Sequence, residues 1–394
     1  MGDNFSKKHM DTFKEGEVSF AAGSGALRSW LLDSAADLWL DRSVDRRNGG
    51  FFDQLSFEGA DNACDFKRLR VCARQIFVFA ELERWGVPGA KSAVLHGLDY
   101  LFGRLRHPDG GFIRSTRLDG APLDESRDLY DHAFVVFALA AAYRLTADPL
   151  LLDEARKVLR LVIDKMGHSA GGFLESLPPA QPRRQNPHMH LLEACLAWAG
   201  QVPEPLFTSL AQDLVALFER HFHDAEKGVL FEFFEDDLSL PADPARRVFE
   251  PGHHFEWIWL LGEARRNGVL PSGREAVQRT LAGTSGDAFG AAGLPYGVMR
   301  FDPSGRAVPA DTTCRIWVVT EWLRACLVEP GSGVGSAGSA IAGLQRFLDV
   351  PVKGLWYERC DAETGRFVVE NVPASSLYHI VSALAPIMTM PDSP

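Results

Sequence analysis

The sequence has no excess of positive charge, no paired-cysteine motif, no long apolar run and no linker of proline and serine. Each absence removes a class of protein. Forty-one Lys and Arg stand against 52 Asp and Glu, a formal net charge of −11, without a basic run, so no nucleic-acid partner is expected. The longest unbroken apolar stretch is the eleven residues Ala133–Tyr143, well short of the ~20 needed to span a bilayer; no membrane partner is expected either. The opening MGDNFSKKHMDTFKEGE lacks the apolar core of a secretory signal. Six cysteines (Cys64, Cys72, Cys195, Cys314, Cys326, Cys360) form no CxxC and sit at no zinc-finger spacing from histidines. Buried free thiols in a reducing cytoplasm are the expectation. What the chain does have is 46% hydrophobic and 24% charged residues, enough for a large core and incompatible with wholesale disorder, collagen or a coiled coil.

Glycine turns followed by an apolar residue recur along all 394 residues: Gly49-Gly50-Phe51, Gly110-Gly111-Phe112, Gly171-Gly172-Phe173, Gly228-Val229-Leu230, Gly293-Leu294 and Gly354-Leu355-Trp356. They are spaced 56 to 65 residues apart. Such a period marks a repeated supersecondary unit. Each turn is flanked by two kinds of helical pattern. Leu27–Leu40, Lys91–Leu105, Leu150–Met166, Leu206–His223, Arg274–Thr284 and Ala337–Phe347 are amphipathic, as helices with one wet face should be. Val71–Arg84, Leu129–Arg144, Met189–Gly200, His253–Arg265, Ile316–Leu327 and Leu377–Met388 are richer in Ala, Trp and Phe and poorer in charge. Six outer and six inner helices predict an all-α fold, a closed (α/α)6 barrel. An open superhelical stack would need polar caps at its ends, and none is visible. Strand-like alternation is confined to Phe231–Phe234 and Arg366–Val369, and Gly331–Gly338 reads as a flexible loop. The expected organisation is an N-terminal extension, 1–24, and one catalytic domain, 25–394.

Polar groups on enclosed helices are informative, because burying one without a partner costs several kcal/mol in order of magnitude. Each inner helix carries such a cluster near its start: Arg74-Gln75; Asp131-His132; Asn186, His188, His190 and Glu193; His253, His254 and Glu256; Arg315, Trp317 and Glu321; Tyr378-His379. The clusters keep the period of the glycine turns, so the barrel should gather them at one mouth. Singly, each has a plainer reading. His132, His188 or His254 fits a hydrogen-bonded core histidine, and Arg74 or Arg315 could tie a helix end to a carboxylate. Trp257 and Trp317 could be packing, and Asp128 and Asp131 could be first-turn acids favoured by the helix dipole. In His190–Glu193 and His253–Glu256 an acid lies three residues after a histidine, on the same helix face, where it can orient the imidazole. Two His and two Glu could also bind a metal, but HExxH is absent and no cysteine joins them; neither metal nor cofactor is expected.

Five ordered motifs spanning about residues 25–390 resemble the N-acylglucosamine 2-epimerase superfamily. They are Ala73-Arg74-Gln75-Ile76-Phe77, Asn186-Pro187-His188-Met189-His190-Leu191-Leu192-Glu193, Gly252-His253-His254-Phe255-Glu256-Trp257 after Glu250-Pro251, Arg315-Ile316-Trp317-Val318-Val319-Thr320-Glu321, and Leu377-Tyr378-His379. Val318 and Val319 replace the Pro and Gln of the family's usual RxWPQTE, and no GxxxxGK[ST] is present. The resemblance implies an (α/α)6 barrel and proton transfer beside a sugar carbonyl. It implies that His253 and His379 are the acid/base pair, with Glu256 supporting His253. Arg74 and His190 would hold the sugar's O1 and O2, Asn186 the open chain, and Glu193, Arg315, Trp317 and Glu321 would complete the substrate site.

Removing the weakly acidic C2 proton of an open-chain aldose needs a base near neutrality and a stabilised enediolate. The expected activity is a cofactor-independent sugar isomerase interconverting D-mannose and D-fructose, with a small-molecule sugar as its partner. A 2-epimerase acting on an N-acylated amino sugar, mannose or cellobiose is the close rival. A glycoside hydrolase or lyase using Glu256 with Asp131 or Glu321, and a non-catalytic sugar binder, are the remaining classes. The irregular stretch 235–250, with Arg246 and Arg247, is read as either a mobile lid or a solvated loop.

Overall fold

A computed structural model describes residues 20–270, 275–328 and 334–390. Outer and inner helices alternate along the chain. The first six are α1 (20–42), α2 (Leu69–Arg84), α3 (Ala90–Arg104), α4 (Leu129–Thr146), α5 (Pro149–Leu161) and α6 (Asn186–Ala199). They are followed by α7 (Pro205–Leu217), α8 (Pro251–Arg266), α9 (Glu275–Gly286), α10 (Ile316–Val328), α11 (Ala337–Leu348) and α12 (Leu377–Thr389). The even-numbered helices form the inner ring. Each packs on the next, and α12 returns to α2, which closes an (α/α)6 barrel. α4 shows why an inner helix must be enclosed: its run Ala133–Ala142 is buried on every side. α5, on the outside, buries Leu151, Ala155, Val158 and Leu159 and leaves Leu150 exposed. No helix among the described residues is long and apolar enough to cross a membrane.

The expected N-terminal extension lies outside the described residues up to position 19, and 20–24 are already part of α1. The Gly331–Gly338 segment lies partly outside them as well; its later part supplies Ser336, whose hydroxyl caps α11.

A second ring, made of strands, surrounds one mouth. Every inner helix follows closely on a strand of two or three residues: Phe66–Arg68, Arg127–Asp128, Arg183–Arg184, Val248–Phe249, Thr313–Arg315 and Val372–Pro373. The first five pair antiparallel with a strand just past the next glycine turn, and Val372–Pro373 pairs back to Gln54–Leu55. The ends of the chain thus close the circle. These strands are too short for an alternating pattern to show in sequence; only Phe233–Phe234 and Phe367–Val368 fall where strands were expected.

Three inner-helix histidines fasten this ring, in the plain core role. His132 Nε2 accepts from the Phe112 N–H at 3.1 Å, His188 Nε2 from Phe173 at 2.9 Å, and His254 Nε2 from Leu230 at 3.0 Å. Their Nδ1 atoms meet Asp128 O, Arg184 O and Ser285 Oγ. Each ring is thereby a neutral tautomer with both nitrogens used. Burial pushes the His188 and His254 pKa values down to about 3. The staple leaves no room on the turn. A Cβ on Gly172, where φ is +61°, would stand 2.7 Å from His188 Nε2, and one on Gly111, φ +75°, 2.6 Å from His132 Nε2.

Two outcomes follow for stability. Gly172→Ala combines a positive φ with a clash, and calorimetry should show a loss of about 2 kcal/mol or more. His188 stays neutral in the fold but charges in the unfolded chain below its ordinary value. Its contribution is therefore complete above pH 6.5 and is lost as the pH falls towards 3. The Tm difference between the wild type and His188→Gln should accordingly be largest at pH 7 and narrow towards pH 4.

Candidate active site

The starts of the inner helices converge inside the strand ring and enclose a cavity of about 280 Å³. Arg74, Asn186, His190, His253, Glu256, Arg315, Trp317 and His379 line it, joined by Arg68, Arg70, Tyr130, Glu250, Ser375 and Ser376. Helix N-termini carry partial positive charge, so this end of the barrel favours a developing anion. Gly252 lets the two central motifs meet, since a Cβ there would lie 2.5 Å from the Trp317 ring. The Trp317 ring lies 5.1 Å from that of His253 and 5.6 Å from that of His379.

The two histidines against Trp317 have opposite electrostatics. His253 Nδ1 is 2.9 Å from Glu232 and 3.7 Å from Glu250. Burial alone lowers its pKa, but these two carboxylates outweigh burial and raise it to about 10. Asn186 Nδ2 lies 3.0 Å from His253 Nε2 while Asn186 Oδ1 is buried without a partner. Turning the amide over sets its oxygen against the Nε2–H of an imidazolium. His379 instead donates from Nδ1 to Glu321 Oε1 at 2.8 Å. Burial and the nearby cations Arg74, Arg324 and Arg315 hold its pKa well below the usual value. It is a neutral ring whose Nε2 lone pair is available. His190 Nδ1 meets Glu193 at 3.1 Å, and burial depresses it to about 4.

Glu256 corrects one expectation. It follows His253 by three residues, as Glu193 follows His190, yet its nearest histidine is His190, at 3.7 Å. Glu232, just past the Gly228 turn that leads into α8, holds His253 instead. Both Glu256 oxygens are buried without a hydrogen bond. Burial, with the charges of Glu321 and Glu193, raises its pKa well above the ordinary value, which favours the protonated acid, the form that can donate a hydrogen bond. Glu193 and Glu321 are also displaced from their expected substrate contacts. Neither lines the cavity, because both sit one layer below, gripping His190 and His379 from behind.

Between those two acids lies Arg324, which sequence reasoning passed over. Its Nη1 is 2.7 Å from Glu321 and its Nη2 3.4 Å from Glu193, and Tyr378 Oη also donates to Glu193. Among the described residues, three donor groups are compact enough to hold an ion: His190, Glu193 and Glu256; Glu232, Glu250 and His253; Glu256, Glu321 and His379. In the first and third, the Arg324 guanidinium already supplies the positive charge.

Other site residues escaped the sequence reading although a signal existed. Three or four positions beyond the glycine of the turn stand Asp53, Glu175, Glu232 and Glu358. Each pairs with a residue at or near the start of an inner helix: Arg68, Arg184, His253 and Arg315, respectively. Arg74 is the exception among the lining arginines. It donates to Ser375 O at 3.1 Å and Tyr130 Oη at 2.6 Å, and its Nε is buried unpartnered. Among the described residues no carboxylate is paired with it, so its charge remains available to a ligand. Of the stretch 235–250, only Glu250 lines the cavity; Arg247 folds back onto Pro241 O at 2.7 Å.

A closed helical barrel presenting an imidazolium, a neutral imidazole and an unpaired guanidinium in one cavity has the equipment of a sugar isomerase or epimerase. The N-acylglucosamine 2-epimerase family profile matches residues 50–383, and the chain belongs to that family; it is a sugar isomerase or epimerase. The mannose-6-phosphate isomerase of Rhizobium meliloti is 36% identical over 92% of this chain and 95% of its own. The D-mannose isomerase of Pseudomonas cannabina is 29% identical over 59% of this chain and 61% of its own. The cellobiose 2-epimerase structure from Bacillus thermoamylovorans superposes with a TM-score of 0.81 at 18% identity, covering 92% of this chain and 98% of that one.

Glu232 keeps His253 charged, so replacing its charge is diagnostic. In Glu232→Gln the His253 pKa falls, and the alkaline limb of the kcat/KM profile should move to lower pH by about one unit or more. An unmoved limb would show that Glu232 does not control this ring.

Proposed function

We propose that the protein interconverts D-mannose and D-fructose. The observation that carries this reading is the split protonation of two histidines in one cavity, which separates base from acid. The isomerase name of the full-length relative supports the reaction type, and a cavity of about 280 Å³ suits one hexose, lying at the lower edge of the ~300–1,000 Å³ of small-molecule sites.

His379 Nε2 removes the C2 proton of the ring-opened aldose, exchanges it with solvent at the enediol stage and then delivers a proton to C1. The His253 imidazolium gives a proton to O1 and regains one from O2, so the proton count closes on a cis-enediol. Arg74 and the protonated Glu256 stabilise the oxygen on which negative charge develops. His190, fixed by Glu193, accepts from a sugar hydroxyl through Nε2, and Trp317 offers an apolar face. One observation favours the 2-epimerase alternative: a neutral and a charged histidine in one cavity could also serve opposite faces of C2.

The test is proton NMR of D-mannose with enzyme in D2O and EDTA. Fructose carrying deuterium at C1 is the expected product, and His379→Asn should lower kcat by a factor of about 10²–10⁴. Glucose deuterated at C2 would replace this reading with the epimerase one. No reaction would remove free mannose as the substrate and direct the assay to mannose 6-phosphate, N-acetylmannosamine and cellobiose.

A further inference from the structure

The other end of the barrel lumen holds a larger cavity, about 660 Å³, to which all six inner helices contribute near their C-terminal ends. Phe77, Trp85, Phe137 and Trp259 give it flat apolar walls. Its charges are internally matched. Glu81 pairs with Arg84 and Arg144, Glu263 with Arg266, and Arg324 with Glu321 and Glu193. A charged ligand therefore finds no unmatched counter-charge there. Two lining atoms remain unpartnered: Arg324 Nε, on a side chain 2% exposed and stacked 3.5 Å from the Trp259 ring centroid, and Ser382 Oγ, on a residue 8% exposed. An unmade hydrogen bond at such depth costs ~1–3 kcal/mol, which a ligand bearing hydroxyl groups would recover.

We propose that this far lumen is a second carbohydrate site, taking a neutral saccharide of up to two rings. Flat aromatic walls, paired charges that can both donate and accept, and two buried donors without partners are together suited to a polyol and to neither an ion nor a purely apolar molecule. Its occupant would be felt at the catalytic mouth. Arg324 touches Glu321, which holds His379, and Glu193, which holds His190. A hydrogen bond accepted from Arg324 Nε draws on the same guanidinium that restrains both acids.

Cellobiose is the discriminating probe, because it fits the far lumen and outgrows the catalytic cavity. Calorimetric titration of the wild-type protein should show one site in the millimolar range, with the sugar recovered unchanged. At saturation the acid limb of kcat for mannose should shift. Ala385→Trp, which fills the lumen from α12, should abolish cellobiose binding and the shift while retaining mannose turnover. Ser382→Ala should weaken binding about five-fold and serves as the milder variant if the tryptophan prevents folding. Absence of binding up to about 50 mM, or binding untouched by both variants, would overturn the proposal. Epimerised cellobiose would place the sugar at the catalytic mouth, and would overturn the mannose reading as well.

Discussion

The site depends on one buried guanidinium. Arg324 is held at the centre of the lumen between Glu193 and Glu321, where two carboxylates without a cation would repel each other in a low dielectric. Taking one partner from a buried ion pair typically costs ~3–5 kcal/mol, because the other charge stays behind. With Arg324 in place, each acid turns an oxygen toward the mouth and fixes an imidazole there, His190 on one side and His379 on the other. The tautomers of both rings, and so the position of their lone pairs, follow from this layer. Glu256, third acid of the group and without a cation of its own, has its pKa driven up by burial and by the other two acids.

The barrel supplies the depth at which this arrangement operates. Burial drives the His379 and His190 pKa values down, and it would do the same to His253 if Glu232 and Glu250 were absent. One environment thus yields a neutral imidazole and a charged imidazolium at neutral pH, the difference being set by which carboxylates face which ring. Arg74, cradled by a carbonyl, a tyrosine hydroxyl and aromatic faces such as that of Phe134, 4.1 Å away, keeps a charge that no carboxylate among the described residues neutralises, at the wall of the cavity.

Precision at the mouth comes from the strand ring and its histidine staples. His132, His188 and His254 resemble the cavity-lining histidines in sequence, being polar residues near the starts of inner helices. They differ in having both nitrogens satisfied, one by the adjoining glycine turn. The same turns bring Asp53, Glu175, Glu232 and Glu358 to the starts of the inner helices. A structural repeat of about sixty residues therefore places a carboxylate in four of its six units, and Glu232 in particular faces His253 in the cavity.

Much of this was legible in the chain. The period of the glycine turns, the alternation of wet and enclosed helices and the register of the polar clusters together determined a closed barrel of six helix pairs with one polar mouth, because helical amphipathicity and turn chemistry are local and repeat with the unit. The acids beyond the glycine turns were legible too, although that signal had to be read at a fixed offset from the turns. Which partner each side chain takes was decided by the tertiary structure alone. His190–Glu193 and His253–Glu256 have the same spacing, yet only the first forms a hydrogen bond, since Glu232, folded back beside the strand that leads into α8, takes His253 instead. Arg324 looked like an ordinary charge near the end of a helix until closure of the ring enclosed it between two acids. Contacts inside the barrel join residues far apart in the chain, Tyr378 and Glu193 across 185 positions, and the charge state of a buried group depends on those neighbours rather than on the residues beside it in the chain.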